Sequence, residues 1–284
     1  MKIGIGLPNQ VLGTDPTIIP TWAARAEEAG FEILGTVGRI AYPGVMDTVA
    51  LAAAAATTHT VELIPGVLLT TVWPGALLAK EVAGIDEISG HRLTLGVGVG
   101  IRTDDFVADG HGSAGRGKRF DQDLEVYREF WGGAHVGGGP NAGVTPHARQ
   151  VPLLFGGMSE AAYARGAKWG TGYIGGSVPA SMVEPAYEAY RAEWAKAGRE
   201  GEPRLVALAY FAFGDGDRGR ANVHDYYSIA GEQFAGLVSG NVAVGAEKVK
   251  ETLKSFEAIG ATDIVFNPGV GDLDEISRLA DAVL

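Results

Sequence analysis

The stretch VELIPGVLLTTVWPGALLAKEVAGIDEISGHRLTLGVGVG, residues 61–100, holds one complete strand–helix–strand unit. Residues 61–69 and 92–100 are short apolar runs, as expected of strands that are buried on both faces. Between them, residues 74–90 begin with proline, end with glycine and place apolar side chains at helical spacing on one face. Two such strands joined by a helix predict a parallel βαβ unit.

The same alternation continues along almost the whole chain. Strands are predicted at 2–8, 31–37, 61–69, 92–100, 151–157, 171–176, 204–213 and 262–268, and helical patterns follow them. Eight such units predict an α/β fold, a (β/α)8 TIM barrel, with an open doubly wound sheet as the structural alternative. No linker divides the chain, so residues 1–284 are predicted to form a single domain.

Residues 132–149 lose this periodicity and are rich in glycine, which predicts a loop insertion after the fourth βα unit. We expect this loop, together with the region 214–245, to shape the substrate pocket. Neither segment carries a recognisable motif.

Composition and charge exclude several classes of function. The 284 residues include 34 acidic and 23 basic side chains, a net charge of −11, which predicts no binding to nucleic acid or to an anionic membrane. The absence of cysteine excludes disulfides, thiolate metal sites and cysteine catalysis. The histidines show no metal-binding spacing, so no metal site is predicted. Neither a signal peptide nor a membrane-spanning run is recognisable, which favours a cytoplasmic protein.

In a TIM barrel the active site lies at the carboxyl ends of the strands. Several of these ends carry paired or alternating glycines, which predicts a broad, flat ligand lying against the backbone. Gly156, Gly157 and Ser159 stand at a predicted helix start, where exposed N–H groups and the helix dipole favour a phosphate. The glycines at 96, 98 and 100 indicate close approach either of a ligand or of a neighbouring chain segment.

Few charged residues follow the strands. Arg39 comes directly after the second strand, where it either pairs with an acidic residue of the rim or acts on the reaction. Asp104 and Asp105, after Arg102, are predicted to lie at a helix start. Four aromatic residues near strand ends are equally consistent with the wall of an apolar substrate pocket and with ordinary core: Tyr42, Trp73, Tyr210 and Phe213.

The chain resembles the bacterial luciferase-like flavin and deazaflavin oxidoreductases over nearly its whole length. The resemblance is carried by AEEAGFEILG (26–35), ALAAAAATTHTVELIPGVLL (50–69), PGALLAKEVAGIDEISGHRLTLGVGVG (74–100), GRGKRFDQDLEVYREFW (115–131) and PLLFGGMSEAAYARGAKWGTGYI (152–174). It implies a TIM-barrel homodimer that binds FMN or coenzyme F420 at the barrel mouth and acts on a small organic molecule.

The resemblance also implies which residues bind the cofactor. A non-proline cis peptide between Gly66 and Val67 is expected to support the cofactor ring. The remaining implied contacts come from the fourth strand, the phosphate-side loop and the sixth strand: Gly96, Gly98, Val99, Gly100, Gly156, Gly157, Ser159, Ile174 and Gly176.

Two departures from the family pattern bear on function. Many relatives carry an Asp-His pair after the second strand, and here Gly38 and Arg39 stand at those positions. Arg39 is too basic to act as a base, but it would stabilise negative charge on a reduced ring. Some FMN-binding relatives carry a phosphate-binding arginine where this chain has Val99, which favours F420 over FMN.

These observations predict an oxidoreductase that transfers a hydride between F420 and an organic substrate. One alternative is an FMN-dependent monooxygenase that uses reduced flavin and O2. Another, from a different class, is a barrel that binds a cofactor without catalysis.

Overall fold

The computed structural model describes residues 1–108 and 112–284, and the strands within these ranges form one parallel sheet that curves into a barrel. The strands are β1 (Lys2–Gly6), β2 (Ile33–Thr36), β3 (Glu62–Pro65), β4 (Leu68–Leu69), β5 (Leu95–Gly98), β6 (Leu153–Phe155), β7 (Gly172–Ile174), β8 (Arg204–Ala212), β9 (Ala243–Val244) and β10 (Asp263–Pro268). The order around the sheet is β3-β2-β1-β10-β8-β7-β6-β5-β4. The short strand β9 pairs in parallel with the carboxyl end of β8. The predicted TIM-barrel fold is confirmed.

Helices cover the outside of the sheet. They are α1 (Ile19–Glu28), α2 (Asp47–Thr57), α3 (Gly75–Ile88), α4 (Thr103–Ala108), α5 (Arg116–Trp131), α6 (Glu160–Trp169), α7 (Ala180–Lys196), α8 (Gly216–Tyr227), α9 (Glu232–Gly240), α10 (Gly245–Ala258) and α11 (Asp274–Val283). The helical segment that follows β8 is divided into α8 and α9, because Gly231, directly before α9, has a φ of +97° and a helix cannot continue through it.

The third barrel strand consists of β3 and β4, separated by a cis peptide between Gly66 and Val67. The predicted cis bond is therefore confirmed. On one side of this interruption β3 pairs with β2, and on the other side β4 pairs with β5. A bridge between Leu63 and Leu93 completes the contact between the third and fourth strands.

The glycines of β5 are explained by the neighbouring strand. A β-carbon on Gly96 would collide with the Pro65 carbonyl oxygen, and one on Gly98 would lie 2.8 Å from Val67 Cγ2. The chain segment that approaches these two glycines is thus the interrupted third strand. This packing accounts for Gly96 without a ligand, and the cofactor contact that the resemblance implies for it stays a prediction.

The barrel interior is filled below its mouth. Buried apolar side chains from six strands pack together there: Ile33, Ile64, Leu154, Ile174, Val206, Leu208 and Val265. At the amino end, Arg204 pairs with Glu62 (Nη1–Oε1 2.6 Å) and with Asp263 (Nη2–Oδ1 2.7 Å). Within the barrel interior formed by the described residues, space for a ligand therefore lies at the carboxyl ends of the strands.

The insertion at 132–149 lies at the amino end of the barrel. Arg149 pairs with Asp86 of α3 and donates hydrogen bonds to the carbonyl groups of His91 and Leu93, which precede β5. The insertion contributes no residue to the cavity at the opposite end. The prediction that it shapes the substrate pocket is therefore wrong, because it joins a helix to the start of a strand.

Glu27, at the end of α1, holds the segment that enters β3. Its carboxylate accepts hydrogen bonds from the backbone N–H groups of His59, Thr60 and Val61 and from the Thr60 hydroxyl. Burial alone would raise the pKa of Glu27, but these hydrogen bonds outweigh it and lower the pKa from 4.5 to about 2.

We expect Glu27→Gln to lower the free energy of unfolding at pH 7 by about 1 kcal/mol, a low value for charged hydrogen bonds because the carboxylate is partly exposed. The folded pKa lies below the unfolded value, so this stabilisation is complete above pH 4.5 and is lost as the pH falls toward 2. Urea unfolding should therefore show a smaller difference between variant and wild type at pH 3 than at pH 7. Glu28→Gln, at the exposed neighbouring position, is the matched control; equal stability of all three proteins at pH 7 would contradict the assignment.

Candidate functional site

A cavity of about 260 Å³ opens at the carboxyl ends of the barrel strands. Its floor is formed by Val67, Ile174 and Leu208, which belong to the apolar cluster that fills the barrel interior. The floor therefore offers an apolar surface of closely packed aliphatic side chains.

One wall of the cavity is rich in glycine and runs from the third barrel strand to the sixth. We call it the glycine wall; its members are Gly66, Gly98, Gly100, Gly156, Gly157, Gly175 and Gly176. Within the described ranges, the backbone N–H groups of Gly157 and Gly176 donate no hydrogen bond. This wall presents peptide groups to whatever occupies the cavity.

Most of the residues implied to bind a cofactor meet here. Those that line the cavity are Gly66, Val67, Gly98, Val99, Gly100, Gly156, Gly157, Ile174 and Gly176. Gly96 and Ser159 do not line it. The Ser159 hydroxyl instead accepts a hydrogen bond from the Ala162 N–H (3.2 Å) and caps the start of α6.

The opposite wall is aromatic and comes from the segment that follows β8. Tyr226 and Tyr227 at the end of α8, with Phe234 of α9, line the cavity. Residues of the segment 214–245 thus line this cavity, and their role in a substrate pocket stays a prediction. Burial raises the pKa of Tyr226 well above its ordinary value, so its hydroxyl stays protonated.

Arg102, directly after β5 and before α4, carries the only charge among the described residues that line the cavity. Its guanidinium carbon lies 5.0 Å from the ring centre of Tyr226 and 5.4 Å from that of Tyr227. Within the described part of the chain it forms no hydrogen bond or ion pair. The sequence places this residue beside a helix start but does not show that its side chain reaches the aromatic wall.

Arg39, the residue predicted to act on the reaction, is buried beside the cavity and does not line it. Its guanidinium pairs with Asp104 of α4 and donates a hydrogen bond to the Tyr226 carbonyl (2.8 Å). It also lies 4.8 Å from the ring centre of Tyr42. Arg39 therefore ties the loop after β2 to the segments that follow β5 and β8, and Asp104 balances its charge.

The four aromatic residues considered for a pocket wall do not line this cavity. Trp73 and Phe213 pack against the main core, and Tyr210 is buried below Tyr227, with 3.5 Å between the two hydroxyl oxygens. Tyr42 lies on the rim, where its hydroxyl donates to Asp225 (2.8 Å). Trp73, Phe213 and Tyr210 are therefore ordinary core residues, the second of the two interpretations considered for them, whereas Tyr42 packs at the rim of the cavity.

A buried acid lies directly behind the cavity. Gly38 lines the cavity, and a β-carbon on Gly38 would collide with the carboxylate of Asp47 at the start of α2. Burial raises the pKa of Asp47 to about 7, and the nearby charge of Asp105 adds to this, whereas Arg102 and a backbone hydrogen bond oppose it. Asp105 itself accepts hydrogen bonds from the N–H groups of Ile40 and Ala41.

Among the residues that the structure describes, no three histidine, aspartate or glutamate side chains are grouped so as to hold a metal ion. No helix in the described ranges has the length and apolar character needed to cross a membrane.

Among curated proteins, the chain is similar to the uncharacterized protein Rv0953c of Mycobacterium tuberculosis, with 32% identity over 172 residues. This match covers 56% of the chain and 60% of the relative, so the chain spans less than two thirds of that relative's length.

Solved structures share the whole fold. An F420-dependent secondary alcohol dehydrogenase in complex with an F420–acetone adduct matches with a TM-score of 0.77 and 16% identity, over 99% of this chain and 98% of the other. The oxygenating constituent of 3,6-diketocamphane monooxygenase from Pseudomonas putida, in complex with FMN, matches with a TM-score of 0.72 and 14% identity, over 99% and 95%. At these identities the likeness shows the fold.

A family model described as luciferase-like monooxygenase matches residues 1–264, most of the chain. This match agrees with the barrel, the cis peptide and the glycine wall at its mouth. The chain belongs to the luciferase-like monooxygenase family.

Proposed function

We propose that this protein is an oxidoreductase that uses coenzyme F420 to transfer a hydride to or from a small organic substrate. The observation that carries the proposal is the cavity at the barrel mouth, where an apolar floor meets a wall of peptide groups. Such a surface fits a flat tricyclic ring, because no side chain of the glycine wall projects into the space the ring needs. When bound, F420 would supply the two-electron hydride chemistry that these side chains lack.

The chain's own residues would hold and orient the cofactor. Val67, Ile174 and Leu208 would pack against the ring from below. The free N–H groups of Gly157 and Gly176 would donate to the anionic tail, near the start of α6, where the helix dipole favours negative charge. Burial of the cavity between Tyr226, Tyr227 and the barrel would exclude water from the reacting atoms.

The preference for F420 over FMN rests on Val99. This residue lines the cavity at the position where the family resemblance implies a phosphate-binding arginine in FMN-dependent relatives. The F420-bound structural neighbour supports the proposal. The FMN-bound neighbour supports the second candidate, a monooxygenase that uses reduced flavin and O2.

We assign Arg39 a positioning role within this function. Its contacts with Asp104 and with the Tyr226 carbonyl fix the aromatic wall from behind. The homodimer implied by the family resemblance stays a prediction, which light scattering coupled to size-exclusion chromatography of the purified protein would check.

Separate fluorescence titrations of the purified protein with F420 and with FMN test the cofactor. We expect F420 to bind with a dissociation constant at least about tenfold lower than that of FMN, because the glycine wall lacks a cation for the FMN phosphate. Tighter binding of FMN would favour the monooxygenase and an oxygen-uptake assay. If the protein binds neither F420 nor FMN, the F420-dependent oxidoreductase and the FMN-dependent monooxygenase are both contradicted. Binding of F420 without hydride exchange against a broad set of alcohols, ketones and acids would favour the non-catalytic barrel.

Gly176→Leu tests whether the glycine wall contacts the cofactor. A β-carbon on Gly176 meets no atom within 4 Å, so the variant should fold normally while its side chain fills part of the cavity. We expect F420 affinity to fall by about tenfold or more, with an unchanged melting temperature. Gly84→Leu, at an equally open position on the exposed face of α3, is the control. Equal F420 affinity of the two variants would show that the ring lies elsewhere.

A further inference from the structure

Arg102 has a charge that the proposed cofactor contacts do not use. Its side chain lies in a cavity with an apolar floor, and within the described ranges it forms neither an ion pair nor a hydrogen bond. Arginine remains protonated in such surroundings, so its charge is present whenever the cavity is empty. An unpaired charge beside apolar groups is unfavourable, and an anion that enters the cavity relieves this cost.

Arg102 lies against two aromatic rings. Its guanidinium carbon is 5.0 Å from the ring centre of Tyr226 and 5.4 Å from that of Tyr227, and these two rings are inclined to one another by 75°. The N–H donors in the guanidinium plane form no hydrogen bond with any residue that the structure describes, so they are available to a ligand. Two parallel donors in that plane match the two oxygens of a carboxylate.

The acidic groups nearest to Arg102 already have other partners. Asp104 pairs with Arg39, and Asp105 accepts the N–H groups of Ile40 and Ala41. Asp47 is buried behind Gly38, so it lies outside the cavity. The negative charge of Asp105 helps to raise the pKa of Arg102, but none of these three carboxylates accepts a hydrogen bond from its guanidinium.

The two walls of the cavity offer different groups to an anion. The glycine wall offers backbone N–H groups at Gly157 and Gly176, at the ends of β6 and β7. Arg102 contacts the aromatic wall, which belongs to α8 and the segment after it. The apolar side chains of Phe234 and Val238 lie on this same side. A ligand there meets one cation and an otherwise apolar surface.

We propose that Arg102 binds a carboxylate of the substrate, so that the substrates are small organic acids with an apolar body. This inference rests on the proposed function, because it places the substrate beside the cofactor in the same cavity. Arg102 would orient the acid so that its reacting carbon faces the glycine wall. The reaction class is then the oxidation of a hydroxy acid, in which the carbon would give a hydride to F420 and the hydroxyl would release a proton to solvent, or the reverse reduction of an oxo acid, in which F420 would supply the hydride and solvent the proton.

The test compares acids with their uncharged amides. Propionate, 2-oxobutanoate and benzoate are titrated against the purified protein by calorimetry and thermal shift, each beside its primary amide, with and without F420. We expect at least one acid to bind about tenfold or more tightly than its amide. In Arg102→Met this preference should disappear, while F420 affinity stays within about twofold of wild type. Arg25→Met, on the outer face of α1, should behave as wild type.

Three results would overturn the proposal. The first is an absence of any preference for acids over amides in the wild-type protein. The second is a preference that survives in Arg102→Met. The third is that Arg102→Met weakens F420 but leaves the binding of a deazaflavin without the phosphate tail unchanged, which would assign Arg102 to the cofactor.

Two arrangements keep the test decisive. If Arg102→Met does not fold, Arg102→Lys replaces it; this variant keeps the charge and loses the planar donor pair, so we expect an intermediate preference for acids. Because the acids are also titrated without F420, a protein that binds acids through Arg102 but never binds F420 would contradict the proposed function and leave the anion site standing.

Discussion

The close approach of β5 to the interrupted third strand is the constraint on which the site depends. Gly96 has no room for a side chain because the Pro65 carbonyl oxygen occupies that space, and Gly98 is held against Val67 in the same way. This contact brings Val67 to the floor of the cavity and leaves positions 96 and 98 of β5 without side chains. Part of the apolar floor and part of the glycine wall therefore arise from one packing arrangement between two neighbouring strands.

The cavity combines parts of the fold with different origins. Its floor and glycine wall belong to the barrel strands and the short turns after them, where backbone hydrogen bonds fix the geometry. Its aromatic wall belongs to helices inserted after β8 and is held in place through Arg39 and Asp104. Under the proposed function, the cofactor would contact the strands of the barrel and the substrate would contact the helices that follow β8.

Local patterns were enough to predict the barrel and much of its mouth. The hydrophobic pattern of each segment indicates which of its faces is buried. Paired glycines at strand ends indicate positions where the packing leaves no room for a side chain. The alternation did not predict which distant segments meet. Tyr226 and Arg102 are far apart in sequence, and neither stands in a motif. Arg39 follows a strand as a catalytic residue would, but its pairing with Asp104 depends on how two loops pack. The insertion at 132–149 was misplaced because its lack of periodicity says nothing about which end of the barrel it reaches.

The contact between Gly38 and Asp47 limits which residues position 38 can hold. A β-carbon at position 38 would collide with the Asp47 carboxylate, so a larger residue fits there only if that carboxylate moves or is replaced. An engineer who wishes to build the Asp-His pair implied by the family resemblance at positions 38 and 39 therefore has to design position 47 at the same time.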